Sequence, residues 1–209
     1  MRILTDRIRA MTVGRLPLLV VALAATLPFV PFLGNPFAFD DAYFLVRVPF
    51  THDFGNAARV LSQDYFRLWP ESPGWRPLAV ISHMMDYALW GMWPAGHRLP
   101  NLLAHLGVVM LLYRFLLNLG TRGDVALAAG VVFALHPIHS ENLFCAYFRR
   151  DSVAALCVLA GVMACRRWGI GTPFLTSPAA WASLLSLMVG LGFKEGAGLL
   201  LPLVWVHAR

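Results

Sequence analysis

Apolar residues along this chain fall in long unbroken runs rather than in alternation. Residues 16–33 (LPLLVVALAATLPFVPFL) form the first run. After a mixed stretch the runs return at 99–118, about 124–138, 151–166 and 178–193, with a shorter one at 197–207. A helix rises about 1.5 Å per residue, so about 20 apolar residues cross a bilayer. The pattern predicts an all-α integral membrane bundle of five to six transmembrane helices forming one domain, residues 1–209. Its first extracytoplasmic loop is long, residues 34–98, and mixed in composition. Within it, 55–68 and 77–92 read as interfacial helices, with Trp69, Trp75, Trp90 and Trp93 at headgroup level. Reading 77–92 as a short span would invert everything downstream; Asp86, the break at Gly91 and Pro94 argue against it.

Composition narrows the class. Hydrophobic residues make up 58% of the chain and charged residues 13%, and the mean hydropathy is +0.64. A soluble domain is about 45–50% apolar and about 25% charged, so an ordinary soluble domain is excluded. The net charge of +6 is read as basic residues flanking spans on the cytoplasmic side. No run of four or more Lys/Arg occurs, and nucleic acid is not among the expected partners. Cys145, Cys157 and Cys165 lack metal-ligand spacing and read as packing residues. Sixteen arginines against the single Lys194 hint at a GC-rich genome, and the expected location is a bacterial inner membrane.

Charge sets the orientation. Arg2, Arg7, Arg9 and Arg15 precede the first run, which continues through Pro28 and Pro31 without a small-residue cleavage site and reads as an uncleaved signal anchor. With that end cytoplasmic, Arg114, Arg122, Arg166, Arg167 and Arg209 also fall inside. Arg149 and Arg150 break the bias, because they lie in a short outer loop.

Under this topology the unusual polar groups collect at one boundary. Asp40 and Asp41 follow the first span, and WRPL places Arg76 in the outer loop. GHRLPN carries His97 and Asn101; with His105 these fall at i, i+4 and i+8, a stripe that reads as an interhelical hydrogen-bonding face. No carboxylate lies on that stripe, so no metal is assigned from it; no cofactor is expected, with a divalent metal open but not indicated. ALHPIHSEN brings His136, His139 and Glu141, FRRDS brings Arg149, Arg150 and Asp151, and GFKEGAG brings Lys194 and Glu195. Ionisable groups at membrane depth are expensive and face a bundle interior or a wet cavity. A carboxylate can take a proton from a hydroxyl, and arginines fork onto phosphate oxygens. A lipid-linked phosphate with its tail in the membrane fits that set.

These motifs carry a resemblance. NPFAFDD, the stretch from DYFRLWPESPGWRPL to RLPNLLAHL, ALHPIHSENLFCAYFRRDSVAAL and GFKEGAGLLLPLVW occur in the order seen in transmembrane-and-tetratricopeptide-repeat O-mannosyltransferases and their bacterial relatives, of the GT-C glycosyltransferase superfamily. The likeness runs from about residue 35 to 204. It implies inverting transfer of a sugar, mannose, from a polyprenyl- or dolichyl-phosphate donor to a protein or glycan hydroxyl on the extracytoplasmic face. It also implies a first-loop acid as base, which maps onto Asp40 or Asp41, with Asp40 favoured. Arg76, His97, Asn101, His136, His139, Glu141, Arg149, Arg150, Asp151, Lys194 and Glu195 would then shape the substrate and phosphate site.

The chain departs from the family where FRRD stands in place of Gly-Arg-Ala-Asp, so Arg150 need not superpose on the family arginine. GT-C enzymes also carry about seven spans or more, whereas the sixth run here is roughly a dozen residues and no tetratricopeptide repeats follow. A fragment or truncated product of a longer enzyme, a half that needs a partner subunit supplying further spans, and a non-catalytic assembly role are therefore all expectations. A proton or anion transporter using the same groups would need them distributed through the mid-membrane region.

Overall fold

A computed structural model describes residues 15–62, 74–168 and 173–207, the last three without their side chains. All regular structure among the described residues is helical. The helices are α1 (Arg15–Thr26), α2 (Ala57–Val60), α3 (Pro77–Trp90), α4 (Pro94–Asn118), α5 (Gly123–Leu135), α6 (Ser140–Phe144), α7 (Arg149–Cys165), α8 (Pro178–Phe193) and α9 (Leu200–His207). The N-terminal arginines Arg2, Arg7 and Arg9, together with Arg209, Trp69 and the end of the expected 55–68 helix, lie outside the described residues.

Local chemistry sets most of the boundaries. Pro77, Pro94 and Pro178 open α3, α4 and α8 at their first turns, where the missing N–H costs nothing. Ser177 caps α8 by accepting from the Ala180 amide at 3.3 Å. Gly91 ends α3 with φ +57°, a conformation that side chains avoid. The expected span at 124–138 breaks: α5 stops at Leu135, because Pro137 disfavours helical geometry at His136. The chain then bends by 46° into residues 137–144.

Two helical stretches, Arg15–Phe32 and Pro94–Asn118, are long and apolar enough to cross a membrane, and the bent pair 123–144 makes a third if counted as one. α8 and the stretch 195–204 are apolar but shorter. On α1, Val21 and Ala25 are fully buried, while Leu16, Leu19 and Leu23 are exposed. An apolar helix with one face packed and the others bare is how a span meets lipid.

α4 is the central element, packed against α1, α3, α5 and α7. One core cluster lies between α1, α4 and α5: Val21, Ala25, Val109, Tyr113, Ala126 and Ala134. A second, with Val60, Val80, Met84, Cys145 and Tyr147, lies under the other end of the bundle. α7 and α8 form the closest pair. A Cβ on Gly190 would stand 2.7 Å from the Ala197 Cβ and 3.0 Å from the Cys157 Cβ, the small-residue approach by which helices pack where the hydrophobic effect cannot drive them together.

Candidate functional site

The polar motifs meet at one end of the bundle, where the first turns of α4 and α7, the 136–148 connection, the end of α8 and the segment after α1 converge. The two aspartates separate sharply in environment. Asp41 is fully buried. One oxygen accepts from the Tyr147 amide at 2.8 Å and the Cys145 thiol at 3.1 Å, and the other from the Ala146 amide at 3.0 Å. It thereby ties the segment after α1 to the start of the 146–148 turn that leads into α7. The Arg98 guanidinium stands 3.7 Å away. Asp40, half-buried, makes no hydrogen bond or ion pair among the described residues. Its neighbour Phe39 holds a left-handed φ of +50° while 88% exposed, a strained geometry for an aromatic residue.

A cavity of about 490 Å³ opens beside this segment. Asn35, Pro36, Ala38 and Phe39 line one wall and Ser140, Glu141, Phe144, Cys145 and Phe148 the other, with Arg98 between them. Arg98 is a residue that the sequence reading passed over. It donates to the carbonyls of Phe144 at 2.6 Å, Leu33 at 3.0 Å, Pro36 at 2.8 Å and also Asn35, so one guanidinium gathers both walls. Its signal in the sequence was an arginine one helical turn before Asn101 at a membrane boundary.

Arg149 and Asn101 form a buried hydrogen-bond network behind the 142–148 connection and do not line the cavity. Asn101 donates to the carbonyls of Asn142, Cys145 and Ala146 at 2.7, 3.1 and 3.3 Å. It accepts from Arg149 Nε at 3.0 Å. Arg149 donates further to Ser82 Oγ at 3.0 Å, to the His97 carbonyl at 2.7 Å and to the Asp86 carboxylate. Four of its five N–H groups are thus spent on the protein. Arg150 differs. Its guanidinium lies 4.1 Å over the Tyr147 ring and 5.1 Å over Phe148, and its buried Nε makes no hydrogen bond, the Asp151 carboxylate standing 3.7 Å from it as an ion-pair partner.

The remaining residues form the rim. Lys194 pairs with Asp151, linking α8 to α7. Arg76 makes a two-pronged pair with Glu195, at 3.0 and 2.7 Å, and this bond holds the Glu195 carboxyl down at about 2. His136 is exposed and accepts from the Ile138 amide at 3.2 Å. His139 packs its ring 4.4 Å from Phe133 and 5.0 Å from His105. His105 meets the Ala134 carbonyl at 3.2 Å. Glu141 is exposed on the cavity wall. Of the residues expected to shape the substrate site, only Glu141 lines the cavity itself.

One cluster was invisible in the linear pattern. His83 and Asp86 sit one turn apart on α3, and packing brings them against His97 of α4. One ligand-type atom from each lies within 4.8 Å of the others, all buried. The carboxylate absent from the α4 stripe thus comes from the neighbouring helix, through an HMMD spacing of i, i+3 that was readable but unassigned. Burial first, then the positive Arg149, keeps the His83 imidazole well below its usual range. Burial raises the Asp86 carboxyl, with Arg149 pulling the other way.

Comparison with known proteins follows this geometry. Protein O-mannosyl-transferase Tmtc2 of Drosophila melanogaster is 30% identical over 173 residues, covering 79% of this chain and 18% of that protein. Protein O-mannosyl-transferase Tmtc1 of the same organism is 34% identical over 115 residues, 53% of this chain and 13% of that one. Protein O-mannosyl-transferase TMTC2 of Mus musculus is 30% identical over 142 residues, 63% and 16% respectively. No family model matches the chain, and no solved structure matches it significantly. The chain spans less than a fifth of the length of these curated relatives. In sequence, it is a partial homologue of the TMTC protein O-mannosyl-transferases.

Proposed function

We propose that this chain forms the reaction end of a GT-C-type membrane glycosyltransferase. It would move mannose from a polyprenyl- or dolichyl-phosphate donor to a hydroxyl of a protein or glycan, with inversion, on the extracytoplasmic face. The observation that carries this reading is the division of labour between the paired aspartates. Asp41 is consumed as a strut, whereas Asp40 is left half-buried and unpaired directly after two cavity-lining residues. An unengaged carboxylate beside a cavity at a bilayer surface can accept the proton of an incoming hydroxyl as it attacks the sugar. Phe39 next to it holds a left-handed backbone, and such outliers cluster at working sites.

The leaving group is a lipid phosphate, which needs cationic donors where negative charge grows. Arg150 is assigned that role over Arg149, because Arg149 has already committed its donors while the Arg150 Nε keeps an open one. Tyr147 and Phe148 hold the Arg150 guanidinium in place by cation–π contact. Glu141 and Ser140 on the opposite wall are placed to contact sugar hydroxyls. Lys194–Asp151 and Arg76–Glu195 fasten α8 against the site and are positioning pairs. The lipid tail would lie along the exposed apolar flanks, and five to six spans with α7 and α8 among them would complete the membrane domain. Further spans from a partner subunit are part of the same proposal.

The test is transfer of radiolabelled mannose from polyprenyl-phosphate mannose to a serine/threonine-rich peptide by the chain reconstituted in lipid. Asp40→Asn should cut the rate by about 10²–10⁴-fold, the usual contribution of a positioned base, with the helical content unchanged. Arg150→Gln should weaken use of the donor. An Asp40→Asn protein that transfers mannose at the wild-type rate would exclude Asp40 as the base.

A further inference from the structure

We propose that His83, Asp86 and His97 form a buried binding site for a divalent transition-metal ion of the zinc type. His83 and His97 are each 2% exposed and Asp86 is 5% exposed. The His83 Nδ1 and the His97 Nδ1 each lie 3.9 Å from the same Asp86 oxygen, too far for a hydrogen bond. Neither ring nitrogen of His83 has a hydrogen-bond partner, and neither does the Nδ1 of His97.

The tautomer of His97 sharpens the point. Its Nε2 sits 2.8 Å from the Gly91 carbonyl, an acceptor, so Nε2 carries the proton and Nδ1 presents a lone pair. That lone pair faces a carboxylate oxygen with no donor hydrogen between them. Two acceptors set against each other in a dry site ask for an electrophile. An imidazole whose far nitrogen donates to a backbone carbonyl is also the usual arrangement of a metal-ligating histidine. Ligands at about 2.0–2.1 Å in a tetrahedron stand about 3.4 Å apart, so closing on an ion brings each ring about half an ångström nearer the carboxylate and draws the two rings, whose ligand atoms lie within 4.8 Å, together by up to about 1.4 Å.

Two imidazoles with one carboxylate select the ion. Magnesium and calcium take oxygen ligands, whereas imidazole favours zinc and its neighbours. Arg149, which donates to Asp86, is the natural objection. It is also anchored by Asn101, Ser82 and the His97 carbonyl, and a ligating carboxylate is normally hydrogen-bonded from outside in this way. Its positive charge decides the fourth position instead. Ion, Asp86 and Arg149 together sum to two positive charges in a buried place, so the open position takes an anion, hydroxide at neutral pH. The site bridges α3 to α4 behind the cavity, with the Phe37 ring 5.3 Å from His97. It stands independently of the transferase reading.

The test uses the purified full chain in lipid nanodiscs, stripped with chelator, exposed to Zn²⁺ alone, desalted and assayed for bound metal. Wild type should retain about one equivalent, and so should His52→Gln, whose ring lies outside the cluster. His83→Phe, which keeps a ring beside Tyr147, and Asp86→Asn should retain essentially none while remaining helical and monodisperse. X-ray absorption of zinc-loaded wild type needs no variant and should show a nitrogen/oxygen shell with imidazole scattering. A folded wild type that retains no zinc, a shell containing sulfur, or equal retention by His83→Phe would each overturn the proposal. If the variants fail to fold, the wild-type retention and absorption decide alone.

Discussion

Removing the Asp41 carboxylate should destabilise the bundle severely, whereas removing its neighbour's should not. Asp41→Ala leaves the amides of Ala146 and Tyr147 buried without acceptors, at about 1–3 kcal/mol each. It also strips the buried Arg98 of the only carboxylate within ion-pair reach among the described residues, and breaking one side of a buried pair costs about 3–5 kcal/mol. These costs overlap, since Arg98 keeps its four carbonyl acceptors, so the expected loss is about 4–6 kcal/mol rather than the full sum. Native stabilities are about 5–15 kcal/mol, so the variant should be close to unfolded or recovered in poor yield. Asp41→Asn should lose about half as much, because its amide keeps one acceptor but turns a donor toward the second N–H. Asp40→Asn, with no partner to orphan, should stay within about 0.5 kcal/mol of wild type. Thermal unfolding in detergent, followed by helical circular dichroism, orders the three. If Asp41→Asn unfolds at the wild-type temperature, the carboxylate is not the strut described here and the assignment of roles within the pair fails.

Other outcomes follow from the same contacts. Burial, first, and the Asp41 charge beside it push the Cys145 thiol well above its ordinary range, so maleimide at neutral pH should leave Cys145 unlabelled in the folded protein and modify it after denaturation. Gly190→Ala should lower stability by about 1–3 kcal/mol, because the Cβ atoms of Ala197 and Cys157 have no rotamer with which to yield; an unchanged unfolding temperature would mean that α7 and α8 pack less closely. The Glu195 carboxyl is depressed from 4.5 to about 2 by its hydrogen bonds to Arg76. A depressed acid stabilises the fold above its unfolded value, so the difference between wild type and Glu195→Gln should be constant from pH 7 to about 5. It should then shrink as pH falls from 4.5 toward 2.

Much of this was legible because membranes simplify the reading. The helix α8 coincides with its run, residues 178–193, although only two or three of the five to six expected spans are long and apolar enough to cross a membrane among the described residues. A helix forms at Pro77–Trp90, where the pattern predicted one at 77–92. What the sequence could not resolve was how partners are shared. Asp40 and Asp41 are identical as letters. Only the 104-residue separation between Asp41 and Cys145, closed in space, shows that one of them is already taken. His83 and Asp86 were unremarkable on an interfacial helix until α4 placed His97 against them. Local spacing reports which face a residue shares, and it is silent about which other helix arrives there.

The two adjacent arginines, Arg149 and Arg150, play different parts. Under the topology expected from sequence both break the usual charge bias, and a single explanation, an anion held there, was the natural one. In the folded chain they have unequal freedom. Arg149 points between α3 and α4 and is held by a side-chain amide, a hydroxyl, a carboxylate and a backbone carbonyl. A guanidinium can bridge this many groups because its donors form a rigid planar fork. Arg150, one residue on, turns about 100° around the helix and lies against two aromatic rings with a donor still open. Arg149→Lys should therefore act on stability, because a lysine reaches fewer of those acceptors, and Arg150→Lys should act on the donor substrate while the fold persists. Measuring unfolding temperature and donor KM for both separates the roles. If Arg149→Lys weakened donor binding with an unchanged unfolding temperature, the phosphate role would belong to Arg149 after all.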